Sequence, residues 1–224
     1  MQYLRMADLY AQKEANYFSY ARREILPLLP PKFARVFELG CGDGSTLRMI
    51  KSQFDVSFCA GLDIDDRSIA IARQHLDLAM SGNIEFIEPP DAVRDIDVIL
   101  CLDVLEHLVD PWRVVKMLHE RLSGRGVIIA SIPNVRYFRV SLPLLFNGSW
   151  ELADAGILDR THLRFFVKKT AIDLMTSSGL HFHRLQPLGL ESGRKAHLAN
   201  MLTLGIFEDL LAQQYLVRVG RVES

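Results

Sequence analysis

Val36-Phe37-Glu38-Leu39-Gly40-Cys41-Gly42-Asp43-Gly44 is the stretch that decides how the rest of the chain is read. An apolar run rich in strand formers stops at three glycines spaced G-x-G-x-G. A helical pattern follows, with Leu47, Met49 and Ile50 set among Ser45, Arg48 and Lys51. The spacing predicts strand, tight turn and helix. Glycines at such a turn permit positive φ and let a ligand approach bare backbone. An ordinary glycine turn in an α/β protein would look the same, so the neighbouring acids matter. Glu38 sits at the end of an apolar strand, where an unpaired carboxylate is costly to bury. Asp63 ends the next apolar run, Phe58-Cys59-Ala60-Gly61-Leu62, about twenty residues on, where an acidic side chain can hold ribose hydroxyls.

Dinucleotide sites usually read G-x-G-x-x-G and seat a pyrophosphate on a helix N-terminus. Here the third glycine comes one residue early, and Glu38 and Asp43 flank the turn. Two carboxylates repel a pyrophosphate but suit a ligand carrying an α-ammonium and a sulfonium. The stretch E-L-G-C-G-D-G resembles the first motif of the class I S-adenosylmethionine (SAM)-dependent methyltransferases, and the resemblance extends from Val36 toward the C-terminus. It implies a Rossmann-like α/β fold: a seven-stranded, mostly parallel sheet with helices on both faces and an antiparallel last strand. It also implies SAM as cofactor and S-adenosylhomocysteine as product. Glu38, Gly40, Gly42 and Gly44 would lie under the methionine part, with Asp63 on the ribose and Ile64 on the adenine face. A nicotinamide oxidoreductase is the competing enzyme class, disfavoured by the acidic turn.

The chain has 224 residues, half of them apolar, which suits one domain with a substantial core. Net charge is −1 and no Lys/Arg run occurs, which weighs against a general nucleic-acid or anionic-membrane binder. Cys41, Cys59 and Cys101 share no C-x-x-C spacing and fall at expected strands, so buried thiols in a reducing compartment are expected. No signal pattern or long apolar run is present, which points to a cytoplasmic protein without membrane insertion.

In chain order, a helix is expected over about 6–29, closed by prolines, forming an N-terminal cover over 1–31 ahead of a methyltransferase domain over 32–224. Its aromatic residues suit packing on the sheet edge; the resemblance also lets Tyr17 or Arg23 reach the cofactor's methionine end. A helix Arg67–Met80 and a short strand Ile84–Ile87 follow. Asp91 is the nearest match to the acid that this family often sets against the adenine amino group, although Pro89-Pro90 replaces the expected glycine. Asp97–Leu102 reads as a buried central parallel strand. It leads into Asp103-Val104-Leu105-Glu106-His107, a helix opened by Pro111, a turn at Ser123–Gly126 and a strand Val127–Ile132. Strands alternating with helices place Asp63, Leu102 to His107 and Asn134 at one carboxyl edge, where ligands bind. Residues 135–165 read as an irregular, aromatic-rich segment, taken as a substrate-side lid, with a packed insertion or the cover of a homodimer partner as the alternative. A helix at 168–178, a strand at 180–187, a helix at 196–213 and a strand at 214–219 complete the chain.

The reaction expected is O-methylation of a small-molecule or glycan-linked hydroxyl, with His107 as base or acceptor-positioning group and Glu106 and His162 supporting it. The Glu106-His107 pair resembles that of ubiquinone-biosynthesis O-methyltransferases. The Asp103-x-x-Glu106-His107 cluster with His162 also resembles the metal-binding set of small-RNA 3′-terminal 2′-O-methyltransferases, which keeps a metal-assisted reaction on RNA ends as an alternative. The near-neutral charge and the lack of a basic patch weigh against an RNA acceptor, and with the ubiquinone-type Glu-His resemblance they lead to the expectation of a metal-free site. A third reading, a non-catalytic accessory protein, comes from a resemblance to methionine-biosynthesis proteins over the Ser131-Ile-Pro133-Asn134 segment.

Overall fold

A computed structural model describes residues 21–189 and 207–221. The strands are β1 (Arg35–Leu39), β2 (Phe58–Asp63), β3 (Leu78–Ser81), β4 (Ile96–Leu102), β5 (Leu122–Pro133), β6 (His181–Leu188) and β7 (Gln214–Gly220). They form one sheet in the order β3-β2-β1-β4-β5-β7-β6. β1 pairs in parallel with both β2 and β4, and β7 runs antiparallel to β5 and β6. The chain winds outward from β1 through β2 to β3, then returns to β4 on the other side. The crevice between the carboxyl ends of β1 and β4 is therefore the switch point of the topology, where open α/β sheets take their ligands.

Alternation along the strands feeds two cores. Phe37, Leu39, Ile99 and Ile128 bury on one face with Val114, Leu118 and Leu174. Val36, Val98, Leu100 and Ile129 bury on the other with Leu47, Ile50 and Ile69. The flanking helices are α1 (Ser45–Gln53), α2 (Asp66–Ala72), α3 (Pro111–Glu120), α4 (Phe138–Asn147), α5 (Lys168–Thr176) and α6 (Glu208–Leu211). Local chemistry sets their starts. Asp65 caps α2 by accepting from the Ser68 amide, and Asp110 caps α3 by accepting from the Arg113 amide just ahead of Pro111. Cys41, Cys59 and Cys101 are buried free thiols, as expected, and burial first of all pushes the Cys59 thiol up to about 11.

Several elements differ from their sequence expectation. The expected helix Arg67–Met80 stops at Ala72, and Leu78–Ser81 becomes edge strand β3, in register with Ala60–Asp63. Asp77 fixes the change: its amide donates to Cys59 O at 3.0 Å, while its carboxylate accepts from the Cys59 amide at 2.8 Å and from Lys51 Nζ at 3.1 Å. Helical periodicity continues to Leu76, but pairing with β2 wins beyond it. The expected strand Ile84–Ile87 is a turn held by the Asn83 carbonyl, which accepts from the amides of Phe86 and Ile87. The expected turn Ser123–Gly126 is drawn into β5 as an irregularity, with the register shifting between Ile96 and Val98. The lid segment is partly regular, because α4 occupies Phe138–Asn147. Of the expected N-terminal helix, residues Arg23–Leu28 form a 3-10 turn containing Pro27, and Ile25 and Leu28 join the second core. No helix of the described residues is long and apolar enough to cross a membrane.

Candidate active site

The turn after β1 is shaped by its glycines. Gly40 has φ 73° and donates its amide to Leu62 O at 2.7 Å, which ties the turn to β2. A Cβ at Gly40 would stand 2.2 Å from Val104 Cγ2, so only glycine fits between the turn and the segment after β4. Gly44, at φ 79°, is the N-cap of α1, and Asp43 Oδ1 accepts from the Ser45 amide at 2.9 Å.

A cleft of about 600 Å³ opens at this switch point. Of the residues expected to hold a cofactor, Glu38, Gly40, Gly42, Asp63, Ile64, Leu102 and Asp103 line it, and His107 lines it from the far side. Gly44 acts one step back, through α1. Asp91 lies apart from it, exposed and ion-paired to Arg94 at 2.8 Å. Tyr17 lies outside the described residues. Arg22, Thr46, Gly82, Asn83 and Gln214 also line the cleft, and sequence reasoning missed them. The available signal for Asn83 was Ser81-Gly82-Asn83, which reads as a helix stop but is the carboxyl end of β3.

Charge is concentrated on the cofactor side. Glu38 is 2 % exposed, and its Oε2 is buried without a hydrogen-bond partner. Loss of water pushes its carboxyl well above the ordinary range; Arg22 opposes this, while Asp63 and Asp43 add to it. Asp63 is also buried, and desolvation raises its carboxyl despite hydrogen bonds from the amides of Asp65 and Gly42, at 2.9 and 2.8 Å. A buried carboxylate without a partner is costly, and a cationic ligand group would relieve it. The backbone cradle and the acidic floor together fit a ligand with a ribose and a positively charged end.

Asp103 has φ 55° and ties four parts of the chain together. One carboxylate oxygen pairs with Arg22, which also pairs with Glu24. The other accepts from Ser131 Oγ on β5 at 2.7 Å and from Gln214 Nε2 on β7 at 3.1 Å.

Beyond Asp103 the chain makes a 3-10 turn, Leu105–His107, that buries Glu106 and His107. The segment Asp159-Arg160-Thr161-His162 folds over them. Asp159 Oδ1 accepts from the Thr161 amide and hydroxyl, at 2.8 and 2.6 Å, and the Thr161 carbonyl meets His107 Nδ1 at 3.1 Å. His162 Nδ1 meets Ile157 O at 3.0 Å, and the amides of Leu163 and Arg164 donate to Glu106 O. The rings of His107 and His162 stand edge to face with centroids 4.6 Å apart. The three residues expected to carry chemistry therefore converge, with His107 toward the cleft and Glu106 and His162 behind it.

Comparison with known proteins places this arrangement. The methyltransferase-domain family matches residues 13–185. The ubiquinone biosynthesis O-methyltransferase of Neisseria meningitidis serogroup A is 28 % identical over 106 residues, covering 45 % of this chain and 44 % of that protein. The match thus spans less than half of that relative's length. The Coxiella burnetii protein of the same name is 25 % identical over 168 residues, 69 % of this chain and 70 % of its own. In fold, the chain is similar to an S-adenosylmethionine-dependent methyltransferase from Mesorhizobium loti, with a TM-score of 0.62 at 18 % identity over 88 % of this chain and 96 % of that one. With more than half of its length matched by the family, and with the sheet order and cleft described above, the chain belongs to the methyltransferase-domain family.

Proposed function

We propose that the protein transfers a methyl group from SAM to a hydroxyl of a small-molecule or glycan-linked acceptor. The observation that carries this reading is the gathering of Glu106, His107 and His162 beside the cleft, across from the glycine turn. SAM, when bound, supplies a methyl group on a positively charged sulfur. Residues Gly40–Gly42 would hold its methionine part on bare backbone, and Glu38 would face the cationic end. Asp63 would take the ribose hydroxyls, with Ile64 and Asn83 toward the adenine. In this assignment Asn83, at the end of β3, stands where Asp91 was expected.

Displacement at the methyl carbon is in line, so the chain chiefly aligns the acceptor and removes its proton. His107 lies at the cleft wall, and its Nδ1 faces the carbonyl of Thr161, which can only accept. The proton therefore sits on Nδ1, and Nε2 is left unprotonated to meet the acceptor side. The names of the Neisseria and Coxiella relatives favour oxygen as the accepting atom. The net charge of −1 without a basic run favours a small or glycan-linked acceptor over RNA. The segment 135–165 serves as the acceptor wall, offering half-exposed Trp150, Leu152 and Phe165.

Release of S-adenosylhomocysteine from SAM with a panel of nucleotide-sugars, quinols and RNA ends tests the reading. Turnover is expected with a hydroxyl acceptor, and His107→Ala should lower it by about 100-fold or more with SAM affinity kept. Turnover with amine acceptors alone, or an unchanged rate in the variant, would sink the hydroxyl assignment.

A further inference from the structure

One layer behind the cleft lining, Asp159 and Thr161 bury a carboxylate and a hydroxyl, at 2 % and 3 % exposure. A buried carboxylate is costly unless hydrogen bonds offset it, so its contacts show what it holds. Asp159 Oδ1 accepts from the Thr161 amide at 2.8 Å and from Thr161 Oγ1 at 2.6 Å. The main-chain carbonyl of Asp159 accepts from the His162 amide at 2.9 Å. The peptide groups on both sides of Thr161 are thus bound to a single residue. Asp159 is itself anchored: its amide donates to Gly156 O at 3.1 Å, and it bridges in parallel to Ala153.

The peptide group between Thr161 and His162 carries the oxygen that matters. A trans peptide is planar, so fixing the direction of the His162 N–H also fixes the opposed Thr161 C=O. That carbonyl meets His107 Nδ1 at 3.1 Å, from 54 residues away in the chain. A carbonyl only accepts, so its aim decides that Nδ1 holds the ring proton and Nε2 the lone pair. The ring is tied to the same frame through its neighbour, because the Glu106 carbonyl accepts from the amides of Leu163 and Arg164 at 2.8 and 3.0 Å. With the 161–162 peptide released, a neutral imidazole favours its proton on Nε2, the wrong nitrogen for a base facing the cleft. Bases held in one tautomer by a third group follow the same logic.

From this geometry we propose that Asp159 is a positioning residue for methyl transfer: through Thr161 it holds His107 in the tautomer whose Nε2 lone pair can take the acceptor's proton. The proposal rests on His107 acting as base in the proposed function. The acceptor hydroxyl gives its proton to Nε2 as its oxygen forms the new O–CH3 bond. The electron pair of the broken S–CH3 bond stays on sulfur, and the positive charge passes to the imidazolium. The Thr161 carbonyl, facing Nδ1–H, then lies against that charge.

The test reads the ring directly, in the whole protein labelled with ¹⁵N-histidine and held at a pH where the rings are neutral. Long-range proton–nitrogen spectra separate protonated from bare ring nitrogens, and His107→Gln identifies the signal. The wild type is expected to carry the His107 proton on Nδ1. In Asp159→Ala the proton should move toward Nε2, and kcat with the hydroxyl acceptor that turns over should fall about tenfold or more, with KM for SAM within about twofold. Asp159→Asn keeps an accepting oxygen and should restore both. Thr161→Val, which loses only the Oγ1 donor, should fall between. His119 on α3, whose Nδ1 meets Ser178 O at 3.0 Å, is the internal control and should keep its tautomer throughout. Should Asp159→Ala fail to fold, Thr161→Val and the wild-type spectrum decide. A wild-type His107 with its proton on Nε2 overturns the proposal, as does a folded Asp159→Ala protein unchanged in tautomer and kcat. A change in only one of the two also overturns it, and leaves Asp159 as a support of the loop. If no acceptor turns over, the proposed function fails, and the tautomer alone then upholds or overturns the clamp.

Discussion

The glycine turn after β1 and the histidine pocket after β4 face one cleft, yet they are built by opposite means. The turn is made of backbone: positive φ at Gly40 and Gly44, amides facing carbonyls, and a Cβ-free gap against Val104. The pocket is made of side chains, two imidazoles and a carboxyl brought together across 55 residues and held by carbonyls of a loop. The turn carries little freedom, because a Cβ at Gly40 has no room beside Val104. The pocket depends on three side chains that single substitutions can change one at a time.

The sharpest way to break that contrast is at Gly40. In Gly40→Ala the left-handed backbone and the contact with Val104 should together cost about 2–5 kcal/mol. Chemical denaturation should register that loss, and calorimetry should find SAM binding gone. A stable variant that binds SAM would mean the turn is not the seat. Asp63→Ala comes next: losing a charge-assisted contact to the ribose should weaken SAM by about 1.5–3 kcal/mol. Unchanged affinity, or a preference for NAD, would move the ribose elsewhere.

On the other side of the contrast, Trp150→Ala or Arg160→Ala should lower turnover by about tenfold while SAM affinity stays within twofold, as expected of groups that shape only the acceptor wall. Trp150 meets Phe165 edge to face with centroids 5.1 Å apart, and Arg160 pairs with Asp154. Parallel loss of SAM binding and stability would favour a packed insertion. Rates unchanged in both variants would take the segment out of the reaction.

The smallest expected effect is on stability against pH. Burial first, then Asp63 and Asp43, raise the Glu38 carboxyl above its ordinary value of 4.5 in the fold. The folded state therefore holds the proton more tightly than the unfolded one. That contribution is fully present below about 4.5 and is lost as pH rises toward the folded value. Glu38→Gln removes the loss, so the ligand-free variant should gain about 2–4 °C in Tm over wild type between pH 5 and pH 8. A Tm difference that does not vary with pH would place the Glu38 proton equilibrium outside the stability of the fold.

How much could be read from sequence follows the same divide. The cleft's glycine turn was legible because strand, turn and helix occupy one continuous stretch, and Glu38, Gly40, Gly42 and Asp63 all line the cleft. The central strands were legible too, since β4 and residues 127–132 of β5 are nearly continuous apolar runs with the length of buried strands, while the seven-stranded sheet with its antiparallel last strand came from the resemblance. Leu76–Ala79 misled because its apolar positions satisfy a helical period, whereas Asp77 bonding to Cys59 is a tertiary contact with no local mark. Arg22, Asn83 and Gln214 were missed for the same reason: each reaches the cleft from a different part of the sheet, and no spacing announces it. The nearness of His107 to His162 was suggested only by a motif resemblance. What places them together is the Asp159 clamp, which no periodicity reveals.

Gln214 on Asp103 has a consequence for how the protein is made. β7 lies between β5 and β6, so β6 leaves the ribosome with its sheet neighbour among the described residues still unsynthesised. The sheet edge at β5 also waits, and the two strands close only when β7 inserts between them as a wedge. Until then Asp103 lacks its Gln214 partner across 111 residues. A nascent chain halted before β7 should therefore expose two unpaired strand edges, a target for chaperones and a hazard for aggregation. The order of synthesis thus completes the methyltransferase cleft only after all six other strands of the sheet have been made.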